Sequence, residues 1–133
     1  MQIYKNLLMP RKRKQTDDER LANIIAEEMA EKKGRNVVCI DFSNLHNTFF
    51  SHFVICHGTS RVQAEAIADA VEAKVRKEMG QKPSHREGFQ NAEWILLDYV
   101  DVVAHIFQDK TRQFFKLEEL WADAKLNYIE SEK

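Results

Sequence analysis

Apolar residues fall along this chain in two rhythms, one of helical period and one of strand-like runs. Thr16-Asp17-Asp18-Glu19 sets a Thr and a Glu three residues apart, the spacing of a capping box. Behind it Leu21, Ile24, Ile25 and Met29 recur at helical spacing, and Gly34 stands where a helix C-cap belongs. The first helix is expected over residues 17–33. Val37 to Phe42, apolar apart from Asp41, reads as a strand; 44–48 reads as a polar turn and Phe49 to Cys56 as a second strand. Ser60-Arg61-Val62-Gln63 is a second capping box. It opens a long helix with an apolar stripe of Val62, Ala66, Ile67, Ala70, Val71 and Val75, closed by Gly80. Ala64, Ala68 and Ala73 keep part of its surface small enough to approach a sheet closely.

Pro83 to Gly88 reads as a short edge strand, with the proline tolerated at its start. Trp94 to Tyr99 and Val102 to Phe107 are apolar runs parted only by Val100-Asp101, which signals a β-hairpin. Asp109 or Thr111 caps a final helix whose stripe is Phe114, Leu117, Leu120 and Trp121. The residues after Ala124 are polar and are expected to fray. The fold class is therefore α/β: about five strands in a mixed sheet, flanked by three helices.

Composition narrows the class. A chain of 133 residues with 44% hydrophobic and 31% charged residues fits one core that needs no staples. Cys39 and Cys56 sit in apolar strands and read as buried thiols rather than a disulfide. No stretch approaches the ~20 apolar residues of a membrane span, and the first residues lack the order of a secretory signal. A cytoplasmic protein with no membrane partner is expected. The net charge is −1, but residues 1–15 carry five basic side chains and no acid, which leaves −6 for the remainder. That acidic body disfavours general nucleic-acid binding. The basic arm over 1–15 reads as a disordered extension able to touch RNA weakly. Residues 16–124 read as a single domain, and 125–133 as a polar tail.

The chemistry centres on Phe53-Val54-Ile55-Cys56-His57-Gly58-Thr59-Ser60-Arg61, a strand, a tight turn and a helix start. Gly58-Thr59-Ser60 resembles the glycine-serine turn with which nucleotidyltransferases hold a phosphate at a helix N-terminus. Such an enzyme also needs two carboxylates two residues apart on one strand, to hold Mg²⁺ with the substrate phosphates. No such pair follows. Asp98 and Asp101 are three apart across a turn, and Glu65 and Asp69 lie on the long helix. His46, His52, His57, His85 and His105 show no metal-ligand spacing. Adjacent Cys56 and His57 point to opposite faces of a strand. No catalytic residue, metal or cofactor is expected.

The hairpin offers a binding surface instead. Trp94, Leu96 and Asp98 share one strand face, opposite Ile95, Leu97 and Tyr99; Val103, His105 and Phe107 share a face of the next strand. An open row of this kind suits protein recognition, because Trp offers area and Asp offers a partner for Arg or Lys. In the other reading Trp94 is core, Asp98 is a turn carboxylate and His105 is an ordinary hydrogen-bonded strand histidine.

Taken together, these pieces resemble the ribosomal silencing factor family, also called Iojap. The resemblance runs through Asp41, Phe53-Val54-Ile55-Cys56, Gly58-Thr59-Ser60, Ile67-Ala68-Asp69, Glu87-Gly88, Ala92 to Tyr99, Asp101 to Phe107, Arg112 and Leu117-Glu118-Glu119-Leu120-Trp121. Val100 departs from it, since the family usually has glycine there, and a β-branched residue resists a left-handed turn. The resemblance implies a nucleotidyltransferase-like fold without catalysis. It implies binding to the large ribosomal subunit through the protein conventionally numbered fourteen, which sterically blocks joining of the small subunit and represses translation. Trp94 and Asp98 are then the expected interface pair, with Tyr99, His105 and Arg112 as further partner-binding candidates. Exposed strands or an aromatic face leave room for a homodimer. The alternative function is a nucleotide-binding or nucleotidyl-transferring enzyme on the same fold.

Overall fold

A computed structural model describes residues 16–45, 48–121 and 123–129. The basic arm at 1–15 and His46 lie outside the described residues. The elements are α1 (Asp17–Glu31), β1 (Arg35–Asp41), β2 (His52–Gly58), α2 (Arg61–Met79), β3 (His85–Glu87), β4 (Trp94–Asp98), β5 (Val102–Gln108), α3 (Asp109–Phe115), α4 (Leu117–Leu120) and β6 (Lys125–Ile129). The six strands form one sheet in the order β3-β4-β5-β2-β1-β6. It is mixed, as the consecutive strand pairs predicted: β2 and β5 run parallel, and every other pairing is antiparallel.

The first helix begins on the predicted capping box. The Thr16 hydroxyl accepts from the Glu19 N–H, and Glu19 returns a bond to the Thr16 N–H, both at 3.0 Å. It ends at Glu31, earlier than expected. Lys33 takes the left-handed conformation at φ 70°, and the Gly34 N–H reaches back to the Met29 carbonyl at 2.8 Å. Gly34 therefore sits one step beyond the left-handed position. The face of α2 is also rotated from its expected stripe. Ala64, Ile67, Ala68, Val71 and Val75 are buried, while Val62 and Ala66 are exposed. The alanines face inward because a small residue lets the helix lie close to the sheet.

Two corrections concern the C-terminal region. The final helix is not continuous: Lys116 adopts φ 51° and ψ 55°, which separates α3 from α4. The expected stripe is broken with it, so that Leu117 is buried while Phe114 and Leu120 face solvent. The expected fraying after Ala124 does not hold for 125–129, which pair with β1 as the sixth strand. The apolar residues Leu126, Tyr128 and Ile129 are the signal that the polar composition masked, Leu126 packing on one face of the sheet and Ile129 on the other. The second strand likewise starts at His52, not Phe49, whose ring is 90% exposed.

The core lies on both sides of the sheet, in two clusters of different character. On one side α1 and α2 bury Val37, Cys39, Val54, Cys56, Ile95, Leu97, Val102, Ala104 and Ile106. On the other, Val38, Ile40, Phe42, Phe53, Ile55, Val103 and Phe107 meet Leu117 and Ala124, with Phe50, Trp94, Leu96 and Trp121 packed at the margin. Both cysteines are buried and unbridged, and burial pushes each thiol up to about 12.

Candidate functional site

Register fixes the face that β4 presents opposite the helices. Trp94 pairs with Phe107, Leu96 with His105 and Asp98 with Val103. Trp94, Leu96 and Asp98 are therefore one row, as alternation required, and all three are only partly covered. Trp94 and Asp98 stand at opposite ends of it, roughly 13 Å of strand apart, with Leu96 between them. Gly88 sets where the row begins. Its φ is 85°, and a Cβ there would lie 1.9 Å from the Trp94 carbonyl oxygen, so the backbone approach admits no side chain.

Trp94 is oriented by its neighbours. Its indole N–H donates to His105 Nδ1 at 3.0 Å, and its ring meets Phe107 at 4.9 Å and Phe115 at 4.8 Å. The chain of rings continues from His105 to Phe53 at 4.5 Å and from Phe53 to Phe50 at 4.9 Å. His105 is buried, and burial pushes its pKa down to about 3, so the ring is neutral at physiological pH. Neutrality is also what the bond requires, because Nδ1 accepts only when it carries no proton. His105 Nε2, also buried, finds no partner among the described residues. The reading of His105 as a hydrogen-bonded strand histidine is the one the geometry matches.

Asp98 occupies the hairpin end. Its Oδ1 accepts from the Val100 N–H at 2.7 Å, and its Oδ2 lies 3.8 Å from His85 Nδ1 on the edge strand. Val100 has φ 78°, and the Asp101 N–H bonds the Tyr99 carbonyl at 3.1 Å. A bond from residue i+2 back to i with that φ is the γ-turn that is rare because it is strained. The strain expected from a valine at this position is thus borne by the backbone.

Two candidates do not join this row. Tyr99 is 7% exposed and packs on the helix side, where burial raises its hydroxyl above the usual phenol range. Alternation places it there, and a partner lying on Trp94 does not reach it. Arg112 is buried as well. Its Nε donates to Glu118 Oε2 at 3.0 Å, and Nη2 bonds the same oxygen. Its Nη1 donates to the Arg35 carbonyl at 3.2 Å and to His57 Nδ1 at 3.0 Å. Arg112 therefore ties α3 to α4, β1 and β2. Burial and the Arg112 charge together lower the His57 pKa. Sequence reasoning missed the rings beside the row, Phe114 and Phe115, because a continuous helix would have turned Phe114 inward.

The glycine-serine turn is filled from within. The Gln63 N–H bonds Ser60 Oγ at 3.1 Å, so the serine caps α2 as predicted. The Gln63 side chain, however, passes Ser60 and accepts from the Thr59 N–H at 2.7 Å and the Thr59 hydroxyl at 3.2 Å. Its amide then donates to the Lys33 carbonyl at 3.2 Å. Two of the groups that would cradle a phosphate, the Thr59 N–H and hydroxyl, are spent on a neutral carboxamide. Among the described residues no three His, Cys, Asp or Glu side chains gather as a metal site would need, and no helix is long and apolar enough to cross a membrane.

These elements define an α/β protein: a six-stranded mixed sheet, backed by helices, whose other face carries a partly open aromatic row. The chain belongs to the ribosomal silencing factor family: the family described as "Ribosomal silencing factor during starvation" matches residues 14–133. Its members are non-enzymatic regulators that repress translation. The ribosomal silencing factor RsfS of Halalkalibacterium halodurans is 35% identical over 107 residues, covering 80% of this chain and 90% of that one. The Iojap-related mitochondrial protein of Arabidopsis thaliana is 34% identical over 98 residues, covering 71% of this chain and 52% of that one. A crystal structure from Chromobacterium violaceum superposes with a TM-score of 0.74 at 28% identity, covering 89% of this chain and 98% of that one.

Proposed function

We propose that this chain silences translation by occupying the joining face of the large ribosomal subunit, through the protein conventionally numbered fourteen. The mechanism is exclusion by mass action: while the surface is covered, the small subunit cannot dock, and no bond is made or broken. The observation that carries the reading is the partly open row Trp94-Leu96-Asp98, with an oriented indole at one end and a carboxylate at the other. Indole area and an acidic group are what a basic protein surface recognises. His105 and Arg112 act behind the surface, His105 by holding the indole and Arg112 by holding α3. The site works from the cytoplasm, and the single domain over 16–124 extends through β6.

Co-sedimentation with purified large subunits tests this. Trp94→Ala should weaken binding by about 2 kcal/mol or more. Trp94→Phe keeps the ring packing and separates lost contact from lost fold. Asp98→Asn keeps the Val100 N–H bonded and removes only the charge, so weaker binding in that variant assigns the carboxylate to the interface. Undiminished binding by folded Trp94→Ala and Asp98→Asn rejects the site. The rival reading, a nucleotide-handling enzyme, meets the Gln63 side chain in its phosphate position. Calorimetry with ATP and Mg²⁺ should register no binding heat.

A further inference from the structure

The row on β4 is too small to be a whole interface. A standard protein interface takes about 800 Å² from each partner. Three residues on one strand offer a strip of roughly 13 by 5 Å. The contact must therefore extend sideways, and the two flanks of the row differ. On the β3 flank, His85 pairs with Asp98 and Glu87 with Leu96, so that side is a polar rim. On the other flank the rings continue. Phe115 lies 4.8 Å from Trp94 and is 47% exposed. Phe114 stands edge-on to Phe115 at 5.0 Å and is 78% exposed. Interface centres are rich in aromatic residues, and their rims are polar.

We infer that the docking surface runs from Asp98 across Trp94 onto Phe115 and Phe114, and that this ledge seats on the same ribosomal protein that Trp94 contacts. The inference rests on the reading given under Proposed function. A ledge is useful only if it is held in place, and this one is. The left-handed Lys116 stops α3 directly after Phe115. Arg112 then pins that short helix to Glu118, His57 and the Arg35 carbonyl. Rings fixed before contact lose little freedom on binding, so more of their contact energy appears as affinity. A protein surface fits this ledge better than RNA does, because the chain beyond residue 15 carries a net charge of −6.

The test is binding of purified large subunits by full-length Phe114→Ala and by the Phe114→Ala/Phe115→Ala double variant, beside Trp94→Ala. Phe114 is so exposed that its loss should leave thermal stability unchanged. Affinity should fall about tenfold for Phe114→Ala and further for the double variant. Trp94→Ala losing affinity while both phenylalanine variants keep it overturns the ledge and leaves the Trp94 reading intact. Loss in the phenylalanine variants alone overturns the continuous surface, because Trp94 then lies outside the contact. Unchanged binding in all three overturns both. Two further results also overturn the ledge as a contact with that ribosomal protein: binding of protein-free ribosomal RNA that the double variant loses, and conversion of a free dimer to a monomer by the same variant, which marks a second copy of this chain.

Discussion

The two sides of the sheet solve different problems. The helix side is closed by α1 and α2 with aliphatic side chains and small alanines, and its polar exceptions include the Tyr99 hydroxyl and His52. The opposite side adds a chain of rings to its aliphatic residues and is covered only in part. Three buried histidines, His52, His57 and His105, all belong to strands β2 and β5, and His57 and His105 face the ring side. The difference teaches how one sheet can carry a closed face and a partly open one. Both faces bury a core, but only the one without the long helices also carries exposed aromatic surface, a strained turn and polar groups at its margin.

The largest expected effect falls on the closed side. Ile67 is fully buried against the sheet, and Ile67→Ala should cost about 3 kcal/mol in chemical denaturation. Ribosome affinity per folded molecule should not move. A loss of affinity in the folded fraction would break the division of labour between the faces.

Acid should act on the ring side. His105 is held neutral down to about pH 3 in the folded chain, whereas an unfolded chain protonates it below about 6.5. The unfolded state then binds more protons over that window, so stability is full above about pH 6.5 and falls as the pH drops towards 3. The loss should reach about 2 kcal/mol by pH 5. His57, also lowered, acts in the same direction. Denaturant titrations at pH 7 and pH 5 measure this slope, and most of it should vanish in His105→Gln. An unchanged slope in that variant would move the acid sensitivity elsewhere.

The smallest effect is at the hairpin tip. Val100→Gly should relieve the positive φ and raise stability by about 1 kcal/mol, net of the extra freedom that glycine gives the unfolded chain. A thermal melt should therefore shift upward by a few degrees. A downward shift would mean that Val100, 63% exposed, makes contacts that outweigh its backbone strain.

Much of this architecture was legible in the sequence where one residue type had one job. The Thr16–Glu19 box, the β4–β5 hairpin and the Trp94-Leu96-Asp98 row follow from spacing alone. What was hidden depended on tertiary partners. Lys116 breaks the last helix although lysine favours helices, because Arg112 and its ligands fix the chain on both sides of it. Residues 125–129 look polar, yet β1 offers them an edge to pair with. The Gln63 side chain was expected to close on its own cap and instead fills the neighbouring turn. Arg112 and Tyr99 were legible as notable residues but not as buried ones.

The central claim is exclusion of one ribosomal subunit by a protein surface. Joining of purified small and large subunits, followed by light scattering with this chain added at one copy per large subunit, tests it most directly. Joining should fall as the large subunits are filled and recover with Trp94→Ala. Subunits that associate at the normal rate while the chain stays bound would contradict the account.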